Sequence, residues 1–132
     1  MVKLIKTTGK RKRAIARAVL RSGKGIVKIN NHLIDLYKPD MARLKLQEPL
    51  ILAGDVAKGV DVSLNVFGGG YMAQAEAARL ALAKALVQHT KRLEKVFLDY
   101  DRHLLVADVR RKETHKPNTH GKARAKRQKS YR

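Results

Sequence analysis

Lysine and arginine are the residues in this sequence whose number and spacing could do chemistry. Lys10, Arg11, Lys12 and Arg13 stand in a row, followed at four-residue intervals by Arg17 and Arg21. Near the other end come Arg110, Arg111, Lys112 and Lys116, then Lys122, Arg124, Arg127, Lys129 and Arg132, with Tyr131 beside the last. Such cations neutralise phosphates and release the counterions condensed around a polyanion, which gives strong, salt-sensitive binding to nucleic acid. A merely solubilising role is the plainer alternative, but nine cations in residues 1–25 without one carboxylate exceed what solubility needs. That run also lacks aromatic residues for stacking on exposed bases, so it should read the phosphate backbone.

Other chemistries find little material. His32, His89, His103, His115 and His120 are scattered. Asp99, Asp101 and Asp108 lie close enough in sequence to hold a hard cation, but read better as surface charges or as partners of Arg102, Arg110 and Arg111. No Ser/His/Asp set or HExxH spacing is present, and the absence of cysteine excludes disulfides and thiolate chemistry. The expectation is a protein that is not an enzyme, with no cofactor, no metal and no small-molecule substrate. Gly68, Gly69 and Gly70 stand between a strand pattern and a helix pattern, where phosphate-binding loops occur. They lack both the Gly-Lys-Ser/Thr and the GxGxxG spacing. A structural turn allowing close backbone approach is the first reading, and contact with an RNA phosphate is the second.

Positioning those cations falls to a short chain. Its 132 residues suffice for one core, and its formal charge of +19 is unevenly placed. Residues 1–25 carry +9, residues 26–109 only +1, and residues 110–132 again +9. This divides the chain into a body, residues 1–109, that can pack normally and an extended cationic tail, residues 110–132. Residues 116–132, fully extended, would reach about 55 Å, farther than a small domain is wide, and could thread between RNA helices where a globule cannot enter. No apolar run approaches a membrane span, no signal-peptide pattern opens the sequence, and the basic ends lack an apolar membrane-surface face. A soluble, cytoplasmic protein with no membrane partner is expected.

Within the body, Ala14, Ala16, Ala18 and Leu20 alternate with Arg13, Arg17 and Arg21, as in a strand with one small-residue face and one basic face. The four-residue spacing of the arginines also suits a helix. Turn residues at 22–25 then predict a hairpin with the strand IVKIN. Pro39 and Pro49 are expected to bracket a helix capped by Asp40, and Gly54 to stop the next. Val60, Val62, Leu64 and Val66 alternate with Asp61, Ser63 and Asn65, which predicts a strand. The alanine-rich residues 71–89 predict the longest helix, able to approach a sheet closely. A short helix and a last strand near residues 104–109 complete the reading.

The stretch GGGYMAQAEAARLALAKAL, residues 68–86, resembles the signature of the ribosomal protein S-nine family of the small ribosomal subunit. The resemblance rests on Gly68, Gly69, Gly70, Ala73, Gln74, Ala77, Ala81, Ala83, Lys84, Ala85 and Leu86. Residues 8–30 are similar to that family's opening. DVRRKE at residues 108–113, with Lys122-Ala123-Arg124 and Gln128 after it, is similar to its closing segment. The final KSYR looks like the archaeal and eukaryotic branch.

The resemblance implies an α/β two-layer sandwich of the α+β type, with helices on one face of a four-stranded mixed sheet, related to the second domain of ribosomal protein S-five. It implies residence in the head of the small subunit, with small-subunit rRNA and neighbouring ribosomal proteins as partners. Lys10, Arg11, Lys12, Arg13, Arg17, Arg21, Arg110, Arg111, Lys112, Lys116, Lys122 and Arg124 would then bind rRNA. Arg127, Lys129, Tyr131 and Arg132 would approach the anticodon stem-loop of P-site tRNA. The competing expectations are a free nucleic-acid chaperone or compacting protein and, more weakly, an enzyme on the related kinase-bearing fold, for which Tyr71-Met72-Ala73-Gln74 supplies no phosphate-loop Ser or Thr.

Overall fold

Alternation of small apolar and polar residues makes strands at the start of the chain, and a computed structural model describes residues 4–116. β1 (Ile5–Arg11) and β2 (Ala14–Ser22) pair antiparallel, joined by Lys12 and Arg13 alone. Lys12 adopts φ 53°, a left-handed conformation that a two-residue connection imposes. β3 (Val27–Ile29) and β4 (His32–Leu33) follow, then a 3-10 turn (Ile34–Leu36), α1 (Asp40–Ala53), α2 (Asp55–Lys58) and β5 (Val60–Phe67). α3 (Tyr71–His89), α4 (Leu93–Tyr100) and a second 3-10 turn (Arg102–Leu104) complete the described chain.

The sheet has five strands in the order β1-β2-β5-β3-β4, mixed because β3 runs parallel to β5 while the other pairs are antiparallel. Two expectations are corrected here. The count is five rather than four because the two residues of β4 add an edge strand beside β3. The basic hairpin is β1–β2, not β2 with IVKIN: β5 lies between β2 and β3, since its eight residues offer β2 a longer partner than the three residues of β3 can.

One sheet face buries Ile5, Ala14, Ala16, Ala18, Leu20, Val62, Leu64 and Ile29, and α3 packs on it along β1, β2 and β5. The approach at β1 is backbone to backbone. A Cβ placed on Gly9 would lie 2.1 Å from the carbonyl oxygen of Ala77, and the buried Thr7 hydroxyl donates to the carbonyl of Ala81 at 2.7 Å. α1 and α4 pack against α3 in turn, so the helices lie over one side of the sheet and Phe97, Leu46 and Leu104 close the core.

Two further readings need correction. Pro39 precedes α1, but Pro49 lies inside it and the helix runs on to Ala53. The fully buried ring of Pro49 offsets the one backbone hydrogen bond that proline cannot donate. Asp40 is the first helical residue rather than the cap, and its carboxylate pairs with Arg43 at 3.1 Å. Residues 104–109 form no strand. Asp101 and Asp108 accept the backbone N–H groups of His103 and Arg110, two residues on, and these side-chain turns take the place of a ladder.

Candidate nucleic-acid interface

The alternation that buries one sheet face turns the other outward. On β1 and β2 it exposes Lys6, Thr8, Lys10, Arg17 and Arg21; on β5 and β3 it exposes Ser63, Asn65, Phe67 and Lys28. Register sets these side chains in rows across the strands: Lys10, Ile15 and Phe67; Thr8, Arg17 and Asn65; Lys6, Val19, Ser63 and Lys28. The acid among them is Asp61, opposite Arg21, and it serves the loop at residues 23–25. Its carboxylate accepts the N–H groups of Ile26 and Lys24 at 2.9 Å each, which holds it below the usual carboxylate range. Lys6, Lys10, Arg17 and Lys28 make no ion pair among the described residues.

Beside this face the two basic segments of the sequence meet. Lys12 and Arg13 from the β1–β2 turn, with Arg110, Arg111 and Lys112, line a crevice of about 470 Å³. Each side of it is held in place. Gly68 (φ +79°) and Gly69 (φ +63°) lie against the turn, where a Cβ would stand 2.6 Å from the carbonyl oxygen of Arg13 and 3.1 Å from the nitrogen of Ala14. On the other side, Asp108 accepts the N–H of Arg110 at 2.9 Å and contacts the guanidinium of Arg11, which ties the departing chain to β1. The backbone bond to Arg110 is the main reason that the Asp108 carboxyl stays below its ordinary range. Five cations around one cavity repel each other, and the arrangement fits an anionic ligand that spans them.

Not every predicted site residue faces outward. Arg11, next in sequence to Lys10, turns inward to Glu76 and Asp108. The hydrogen bond to Glu76 is the largest of the effects that raise its pKa above an arginine's ordinary value. Burial pushes Glu76 up, but Lys45 at 2.9 Å and Arg11 more than offset this and hold it below its usual value. Behind them the buried Arg79 contacts Glu48 and lies 3.1 Å from Asp101. Burial raises Asp101, yet the His103 N–H and Arg79 outweigh it and the carboxyl sits low.

Asp101 and Asp108 therefore partner Arg79, Arg11 and Arg110, whereas Arg102 and Arg111 have no acid partner among the described residues. No group of three metal-capable side chains occurs among the described residues. Lys116 pairs with Glu113 at 2.8 Å. Lys122, Arg124, Arg127, Lys129, Tyr131 and Arg132 lie outside the described residues.

Sequence reading placed Ser63 and Asn65 opposite the apolar face of β5, as found, but missed Lys6, Lys28 and Phe67 as members of the outward face. For β5 the signal was present, since continuing its alternation past Asn65 turns Phe67 outward.

Comparison with known proteins bears on this arrangement. The family model described as "Ribosomal protein S9/S16" matches residues 9–132. A curated relative, "Small ribosomal subunit protein uS9" of Methanococcus maripaludis, is 48% identical over 134 residues, covering 99% of this chain and 100% of its own. Proteins of this kind are structural components of the ribosome, not enzymes. A family match that spans the hairpin, the glycine turn, the long helix and the basic C-terminal residues places the chain in the ribosomal protein S9 family.

Proposed function

We propose that this chain is a structural constituent of the small ribosomal subunit that holds rRNA by its phosphate backbone. The observation that carries the reading is the crevice between Lys12–Arg13 and residues 110–112, five cations brought together from opposite ends of the sequence. The adjoining open sheet face extends the same charge through Lys10, Arg17 and Arg21. Phosphate contacts fix position and orientation without reading sequence, which is what an architectural component requires. Lys116, Lys122 and Arg124 continue the rRNA contact. Met41, Leu44 and Ile51, exposed along α1, supply apolar surface of the kind that neighbouring ribosomal proteins cover. The working location is the ribosome, in the cytoplasm. Among the described residues no helix is long and apolar enough to cross a membrane.

The finer part of the proposal concerns residues 117–132, whose composition is that of a phosphate-seeking segment. Arg127, Lys129, Tyr131 and Arg132 approach the anticodon stem-loop of P-site tRNA, with the arginines and lysine on phosphates and the tyrosine on a ribose or base.

The sequence contains no cysteine, so a single cysteine at Lys12 or Arg111 gives a unique tether for an iron chelate that cleaves nearby RNA. Both tethers should cut the same rRNA region within assembled small subunits. Cleavage at unrelated sites, or none, would dismiss the crevice as an rRNA contact. Removing residues 130–132 should leave assembly intact and weaken P-site tRNA retention, and unchanged retention would dismiss the tRNA contact. A protein that bound unrelated DNA and RNA alike and left the subunit in a mild salt wash would instead be a free nucleic-acid chaperone.

A further inference from the structure

The run of residues 1–25 has no aromatic side chain, which argues for a surface that touches phosphates alone. The sheet changes this, because β5 carries an aromatic ring into the middle of the cations. Phe67 lies opposite Ile15 on β2, it is 44% exposed, and the guanidinium carbon of Arg17 stands 5.6 Å from its ring centre. Around this pair are Lys10, one step further along the same row, and Asn65, directly across from Arg17.

We propose that Phe67 and Arg17 form a stacking ledge for one unpaired RNA base on the open face of the sheet. A phenylalanine half exposed on a cationic face gains little from water, and base–aromatic stacking is favourable for any base because each has a π-face. A guanidinium beside the ring adds a second planar group and a charge for the phosphate attached to the same nucleotide. The amide of Asn65, exposed on the same face, can donate to and accept from a base edge. Unpaired bases in loops and bulges are the parts of RNA that proteins reach by stacking. The ledge thus gives a phosphate-reading surface one point of contact with a base, and it rests on the reading that this face binds RNA.

A plainer role for Phe67 is to cover Ile15 and the aliphatic part of Arg17, and the test separates the two. Full-length protein is titrated with a short oligoadenylate and with an abasic ribose-phosphate chain of equal length. The wild type should prefer the base-bearing chain about tenfold, a step of about 1.4 kcal/mol. Phe67→Leu keeps apolar cover but removes the π-face, so it should abolish that preference and leave binding of the abasic chain unchanged. The protein has no tryptophan, so Phe67→Trp installs a single reporter whose fluorescence should be quenched by oligoadenylate and not by the abasic chain.

A folded Phe67→Leu protein that keeps the wild-type preference would overturn the ledge, as would a Phe67→Trp protein whose fluorescence does not move while RNA binds. Should Phe67→Leu fail to fold, the tryptophan signal decides alone. Wild-type protein that binds neither chain would overturn the RNA reading itself, and the ledge with it.

Discussion

Lys10 and Arg11 are covalent neighbours, yet they belong to two regions with opposite uses for positive charge. On the open sheet face Lys6, Lys10, Arg17 and Lys28 stand without carboxylate partners among the described residues. In the cleft between β1, α1 and α3, the cations Arg11, Lys45 and Arg79 are each tied to Glu76, Asp108, Glu48 or Asp101. The pleat of one strand decides between them: even-numbered residues of β1 face outward, while Arg11, at its end, reaches the acids of α3 and of the C-terminal segment. Net charge alone therefore overstates what is available to a ligand. Cations that hold the fold together and cations that face a partner are told apart by where the carboxylates lie.

This difference can be tested from its strongest consequence downward. Arg79→Ala leaves Glu48 and Asp101 without their partner, and denaturant unfolding should report a loss of about 3 kcal/mol, the low end for breaking a buried ion pair because both acids keep some exposure to water. The slope of RNA affinity against salt should not change. Replacing Lys12, Arg13, Arg111 and Lys112 together by alanine should do the reverse. Stability should move little, while log affinity for small-subunit rRNA should fall with log salt less steeply, by about 3 to 4 units, at about 0.9 for each phosphate no longer neutralised.

Neighbouring substitutions sharpen the contrast further. Lys10→Ala should flatten the salt slope by about one unit without lowering the melting temperature, and Arg11→Ala should lower the melting temperature first. Equal behaviour of the two variants would abolish the distinction between the regions. The smallest effect is one of pH. Glu76 titrates below its ordinary value of 4.5 in the folded protein, so the unfolded chain takes up its proton first as pH falls. Its contribution is fully present above about pH 4.5 and is lost as acidity passes through the lower, folded value. Glu76→Gln should remove that part of the acid destabilisation, as measured by melts at successive pH values.

Much of this was legible in the sequence. The inward faces of β2 and β5, the long helix α3 and the exposure of Arg13, Arg17 and Arg21 followed from periodicity, because one face of each element is buried and the other is not. What periodicity cannot carry is long-range pairing. Nothing local indicates that β5 enters between β2 and β3, or that Arg11 will meet Asp108. The expected strand at residues 104–109 failed for a different reason: its run of apolar residues was visible, but the side-chain turns at Asp101 and Asp108 set the backbone there instead of a ladder. Proline rules misled at Pro49 because they weigh the missing hydrogen bond and not the burial of the ring.

The placement of β5 also bears on how the protein is made. β1 and β2 can pair as soon as they leave the ribosome, but the far edge of β2 must wait for a strand that begins at Val60. At about 5–20 residues per second, the roughly forty intervening residues take about 2 to 8 seconds to synthesise. Through that interval a bare edge is open to misplaced partners, and charged side chains are a common guard against such pairing. Arg17 and Arg21 stand on that strand, and like charge of this kind would keep one nascent hairpin from joining another until the last strand arrives.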